Sequence, residues 1–191
     1  SANRGRDILP FLRVANRLLD EGEDIVLKLH TKRSLHREDG DQWRRELVDR
    51  LLSQARAMRI LQAMRNDPSM GLVAPEGHLL DVADHLGGNA EALAYLTRRL
   101  GLQTTGADGR FVSGSMFWTR LQALRPLLDA HLDEWEFDEE QGQIDGTFAH
   151  AVERIFVTAV QDAGYASTTA ASICGEPQPG PAAPYRYARR G

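Results

Sequence analysis

The run Lys28-Leu29-His30-Thr31-Lys32-Arg33-Ser34 gathers cations, a histidine and two hydroxyls at the end of a short apolar segment. That mixture suits a leaving diphosphate: breaking the bond to a nucleotide-activated sugar develops negative charge, which positioned cations and N–H donors stabilise without a metal. Lys32 and His30 could supply that stabilisation. Asn3-Arg4-Gly5-Arg6-Asp7 is a second anion-binding candidate. It sets a glycine and two arginines before a helix, where unpaired backbone N–H groups and the helix dipole favour negative charge. A capped helix with solvated arginines, and a solvated basic loop at 28–34, explain the same residues as structure alone.

Sugar transfer also needs a group to take the acceptor's proton. The acidic stretch 133–140 leads through Gln141-Gly142-Gln143-Ile144 to Asp145-Gly146-Thr147. Asp145 is the preferred base and Glu140 the second choice, because a fixed carboxylate near the anomeric carbon suits an inverting displacement; helix capping by Asp145 is the structural alternative. His150, Glu153 and Arg154 share one face of the helix that follows, as structure or as a site wall. In Phe111-Val112-Ser113-Gly114-Ser115-Met116-Phe117-Trp118, Gly114 and Ser115 could let a ligand approach the backbone and Trp118 could pack a sugar face. A core strand with a bulge reads equally well. Asp39-Gly40-Asp41 matches the Asp-x-Asp of metal-dependent transferases, but it stands beside a helix start, where Asp41 serves as a cap. No metal site and no cofactor is expected, since no paired-His or Cys/His spacing, P-loop or dinucleotide fingerprint occurs. A divalent metal remains compatible with the chemistry.

The totals set limits on these readings. The 191 residues, 42% hydrophobic and 26% charged, suit one soluble globular core, and the net charge of −4 argues against a general nucleic-acid binder. A helical nucleic-acid module built on Arg44, Arg45, Arg56, Arg59 and Arg65 is weakened by interspersed acids. The lone Cys174 has no partner for an intrachain disulfide. No run reaches the ~20 apolar residues of a membrane-spanning helix. A cytoplasmic location is expected, with peripheral association at the inner face of the membrane compatible.

Periodicity places these residues on elements. Apolar spacing predicts helices over 7–21, 41–65, 89–100, 119–130 and 145–163, the fourth shortened or kinked by Pro126. Strands are expected over 24–30, 70–73 and 111–118. Alternating strands and helices favour an α/β architecture with a mostly parallel sheet, whose ligands gather at the carboxyl ends of strands. Residues from 165 onward shift to Ala, Ser, Gly and Pro and are expected to form a C-terminal tail.

The ordered motifs Asn-Arg-Gly-Arg-Asp-Ile-Leu-Pro-Phe-Leu, Lys-Leu-His-Thr-Lys-Arg-Ser, Gly-Leu-Val-Ala-Pro-Glu, Gly-Ser-Met-Phe-Trp and Gly-Gln-Ile-Asp-Gly-Thr-Phe-Ala-His-Ala-Val-Glu-Arg resemble those of the rhamnan synthesis F family. The resemblance implies glycosyl transfer to a rhamnose-containing cell-surface polysaccharide such as O-antigen. It also implies a nucleotide-sugar donor such as dTDP-rhamnose and a polysaccharide or lipid-linked acceptor. It implies a GT-A-like domain over 1–164, expected to lack its first nucleotide-binding βα unit or units. By similarity Asn3, Arg4, Gly5, Arg6, Asp7, His30, Thr31 and Lys32 would face the donor. Gly114, Ser115, Trp118, Gln143 and His150 would line the sugar and acceptor side. The competing expectation is a noncatalytic carbohydrate-binding or assembly module derived from such a transferase.

Overall fold

The structure, a computed structural model, describes residues 4–30 and 40–178. The first helix, α1 (Ile8–Asp20), forms where the spacing predicts and buries Ile8, Leu9, Leu12 and Ala15 on one stripe. Strand β1 (Ile25–Lys28) follows. The single helix expected over 41–65 is two, α2 (Gly40–Leu52) and α3 (Gln54–Asn66), because Ser53 between them is extended with ψ 138°. The break changes which residues face inward. Continuing the stripe of Trp43, Leu47 and Leu51 would bury Met58, yet Met58 is 65% exposed while Ile60 and Met64 are inside.

Strand β2 (Met70–Ala74) is almost wholly buried, and β3 (Leu79–Asp81) and β4 (Arg110–Val112), which lie on either side of α4 (Ala90–Arg99) in the sequence, pair as a separate antiparallel ribbon. The run expected as one strand over 111–118 is split by a turn, with φ +87° at Gly114 and +51° at Ser115. Its second half becomes β5 (Phe117–Arg120) in the other sheet. The helix expected over 119–130 shrinks to α5 (Arg125–Leu128), with Pro126 in its first turn, where its missing N–H costs nothing. The helix α6 (Phe148–Asp162) starts at Thr147, so Asp145 is not its cap. Residues 166–174, assigned to the tail from composition, form β6 (Ala166–Thr169) and α7 (Ala170–Cys174), with Ala170 and Ala171 buried. The remaining tail positions from 179 lie outside the described residues.

The main sheet has the order β1-β5-β2-β6. Strand β5 runs antiparallel to both β1 and β2, and β2 pairs with β6 in parallel. The expected mostly parallel sheet is therefore a mixed, mostly antiparallel one. Its cause is local: β1, β2 and β6 do share one direction, as helical connections between strands imply, but β5 inserts between β1 and β2 and reverses both pairings. The alternation of strands and helices carries no information about that insertion.

Side chains alternate across the sheet. Phe117 faces α1 and α6 in a ring cluster, 6.1 Å from Phe11 and 5.3 Å from Phe156, and its neighbour Trp118 faces α2 and α3. Each such aromatic pair adds about 1 kcal/mol beyond its buried area. Helix α6 runs through the core, and between positions 149 and 160 every residue is buried except Glu153. Among the described residues no helix is long and apolar enough to cross a membrane.

Candidate functional site

The chain enters α1 through a loop that only a glycine permits. Gly5 has φ +73°, and a β-carbon there would lie 2.4 Å from that of Leu9. The turn aims Arg4 and Arg6 at the segment before α6. Arg4 donates to the Phe137 carbonyl at 2.6 Å and pairs with Glu139 at 2.6 Å. Arg6 pairs through Nε with Glu140 at 2.9 Å, donates to the Gln143 carbonyl at 3.1 Å and contacts His150 Nε2, 144 positions along the chain. Gln143 braces its own segment, its side chain donating to the Glu139 carbonyl at 2.8 Å. The expected donor loop and the expected acceptor segment thus meet, while Asn3 lies outside the described residues.

A guanidinium has no lone pair to offer, so the Arg6 contact requires His150 Nε2 to accept. The His150 proton then sits on Nδ1 and is donated to Thr147 Oγ1 at 2.7 Å; the 3.3 Å approach of the Thr147 N–H to the same nitrogen is not a hydrogen bond in this tautomer. Burial, reinforced by the Arg6 charge, lowers the His150 pKa from 6.5 to about 4. Between those values the unfolded chain binds a proton that the folded chain does not, so acidification favours unfolding. The stability difference between the wild type and His150→Gln is expected to narrow by on the order of 2–3 kcal/mol from neutral pH to pH about 4. Denaturant unfolding at a series of pH values measures it, and a pH-independent difference would contradict a neutral His150.

At the carboxyl end of β1, Lys28 is 3% exposed. Its ammonium pairs with Asp7, donates to the Ser115 carbonyl at 2.7 Å and Ser115 Oγ at 3.0 Å, and lies 5.4 Å from the centre of the Phe11 ring. All three N–H donors are thereby placed, which makes a buried lysine tolerable. Burial works to raise the Asp7 pKa, but the charges of Lys28 and His30 with the Lys28 hydrogen bond outweigh it and hold the carboxyl below the ordinary aspartate value. His30 Nε2 meets the Gly114 carbonyl at 2.8 Å. Because β5 is antiparallel to β1, its entry residues Gly114 and Ser115 fall beside the carboxyl end of β1. Thr31, Lys32 and Asp39 lie outside the described residues.

Two sequence candidates stand elsewhere. Trp118 is on the opposite sheet face from Phe117, and its indole N–H donates to the Leu51 carbonyl at 3.0 Å, so the ring packs against α2 and α3. Asp145 clasps the loop before α4 to α6. Its carboxylate accepts from Asn89 at 2.9 Å, Arg154 at 3.0 Å and the Gly88 N–H at 3.3 Å. Burial acts to raise its pKa, but the Asn89 hydrogen bond, the Arg154 charge and the backbone donors prevail and lower it.

Glu153 is the residue that spacing placed on a site wall without singling it out. It occupies the single gap in the buried stretch of α6, in partial contact with solvent yet deep in the surrounding protein. Among the described residues its carboxyl has no hydrogen-bond or ion-pair partner, and it lies within electrostatic reach of Asp7, Arg154, Lys28 and Arg6. Burial, aided by the Asp7 charge, raises its pKa from 4.5 to about 7 against the pull of the three cations. The only signal in the sequence is an ionisable residue on an otherwise apolar stretch of helix. The groups together form a charged cluster: cations, one ion-paired carboxylate, and one carboxyl poised to exchange a proton near neutrality. Among the described residues, no group of three or more His, Cys, Asp or Glu is placed to hold a metal ion.

The arginines of α2 and α3 sit by an open groove lined by Arg45, Glu46, Asp49, Arg50, Arg56 and Glu76. Arg50 pairs with Glu46 and Glu76, and Arg56 with Glu76 at 2.9 Å, so acids neutralise the patch. A smaller concavity lined by Leu9, Leu12, Asn16 and His131 lies between α1 and α5, apart from the charged cluster.

Comparison with known proteins places the chain. Two relatives described as uncharacterized protein WxcX, from Xanthomonas campestris pv. campestris strains B100 and ATCC 33913, are each 57% identical over 188 residues. Those alignments cover 98% of this chain and 27% of the relatives, so the chain spans about a quarter of their length. No solved structure matches. The family described as rhamnan synthesis protein F matches residues 1–165, which contain every described residue of the charged cluster, and the chain belongs to that family.

Proposed function

We propose that this chain forms part of a glycosyltransferase that moves a sugar, rhamnose in the first instance, from a nucleotide-sugar donor to a growing cell-surface polysaccharide. The observation that carries the proposal is the convergence of Arg6, Lys28 and His30 with the backbone of Gly114 and Ser115 around a carboxyl, within a family tied to rhamnan synthesis. Arg6 uses three of its five N–H donors on Glu140, Gln143 and His150. Among the described residues the other two remain for a ligand oxygen. Thr31 and Lys32 complete the donor side in this reading, and the cations take the charge-stabilising part that a divalent metal plays in other transferases. Such an enzyme would work on the cytoplasmic side of the membrane, where nucleotide sugars are made available to it.

Calorimetric titration of the full natural chain with dTDP-rhamnose and UDP sugars, with and without Mg²⁺, tests the proposal. Arg6→Ala is expected to weaken dTDP-rhamnose binding by about 10- to 100-fold, the loss of charge-assisted hydrogen bonds to phosphate. Binding of glycan fragments without binding of any sugar nucleotide would instead support the noncatalytic carbohydrate-binding module.

A further inference from the structure

We infer that Glu153 is the group that takes the acceptor's proton during transfer. The inference rests on the glycosyl-transfer reading above and deepens it. Two independent features of the fold support it. Between positions 149 and 160 helix α6 is partly exposed only at Glu153, and Arg6, one of the residues expected to hold the donor diphosphate, reaches the same helix at His150, one turn before Glu153. A carboxyl in that place meets an incoming hydroxyl and leaves the remaining Arg6 donors to the phosphate.

The other carboxylates at the site are committed. Asp7 is paired with Lys28, Glu140 with Arg6, and Asp145 with Asn89, Arg154 and the Gly88 N–H. A base held in such bonds must give up a partner before it can accept a proton, whereas Glu153 gives up none. Its raised pKa, about 7, also suits a group that must be ionised at working pH yet basic enough to pull a proton.

In the step, the acceptor hydroxyl oxygen forms a bond to the anomeric carbon. The bond from that carbon to the donor's β-phosphate oxygen breaks, and its electron pair leaves on the nucleoside diphosphate. The hydroxyl proton passes to Glu153. The charges facing that carboxyl are Arg6 and Asp7 from the entry to α1, Lys28 from β1 and Arg154 from α6 itself, while His150 one turn away is neutral at working pH. Asp7 is the negative member of the set. Its neutralisation makes Glu153 more acidic.

The test uses the full natural chain with dTDP-rhamnose as probe and membranes bearing the polysaccharide primer as acceptor. Glu153→Gln, which keeps the shape of the protonated side chain, is expected to bind dTDP-rhamnose within about two-fold of wild type. It is expected to lower turnover by about 100-fold or more. The acid limb of the wild-type pH–rate profile should lie near pH 7, and Asp7→Asn should move it to lower pH, a shift that a structural role for Asp7 would not produce. Wild-type turnover with Glu153→Gln within about three-fold of it would overturn the inference and leave the transferase reading standing. So would a Glu153 carboxyl that titrates near the ordinary glutamate value in a ¹³C NMR pH series on the selectively labelled chain. Absence of dTDP-rhamnose binding and turnover in the wild type would overturn both.

Discussion

Lys28→Met is expected to destabilise the protein by about 3–5 kcal/mol, because it removes one member of a buried ion pair and strands the other. The side chain is 2% exposed, and its ammonium is the partner of Asp7 and of both Ser115 oxygens. Methionine fills nearly the same volume and keeps the contact with Phe11 and Phe117, so the loss is electrostatic rather than a cavity. In thermal unfolding this corresponds to a midpoint lower by roughly 10 °C for a domain of this size. The partner variant discriminates the cause. Adding Asp7→Asn to Lys28→Met should recover part of the loss, since no uncompensated carboxylate then remains. A loss below about 1 kcal/mol for Lys28→Met would mean that Asp7 is solvated well enough without its lysine.

Gly114→Ala should cost about 2–4 kcal/mol, from left-handed backbone strain together with overpacking. At φ +87° its β-carbon would lie 2.6 Å from Trp43 Cζ2 and 2.9 Å from Leu47 Cδ1, both in the apolar cluster that α2 builds. Neither ring nor leucine has room to retreat, since Leu47 is fully buried and Trp43 nearly so. The Gly114 carbonyl also meets His30, so the substitution displaces a donor-side group as well as the core. Urea unfolding measures the stability term, and dTDP-rhamnose titration of the same variant measures the effect on the site. An unfolding midpoint unchanged from wild type would show that the turn accepts another backbone conformation.

Much of the fold could be read from spacing. The stripe of Ile8, Leu9, Leu12 and Ala15 located α1 within a residue at each end, β1, α4 and α6 fell inside their expected spans, and β2 ran one residue past its own. Failures came where a local pattern had two continuations. Trp43, Leu47 and Leu51 continue equally well into a straight helix or a broken one, and the choice was made by Ile60 and Met64 reaching a different cluster. The apolar run 111–118 reads as one strand until the turn at Gly114 sends its halves to different sheets. Composition made 165–174 look like tail, although backbone pairing with β2 needs no bulky side chains.

For the site, residue types and order in the sequence singled out the groups proposed for the chemistry, namely the arginine loop before α1, the run from Lys28 to His30 and the glycine and serine before β5, and they identified the family. Which contacts those groups make was decided only by tertiary structure. Strand alternation sent Trp118 away from the cluster beside which Ser115 was kept. Asp145, the preferred base from its position, is bound by Asn89 from the loop before α4 and by Arg154 from α6. Glu153 looked like an ordinary helical glutamate. Desolvation and the field of distant charges change a carboxyl's acidity, and neither exists until α1, β1 and α6 pack together around it.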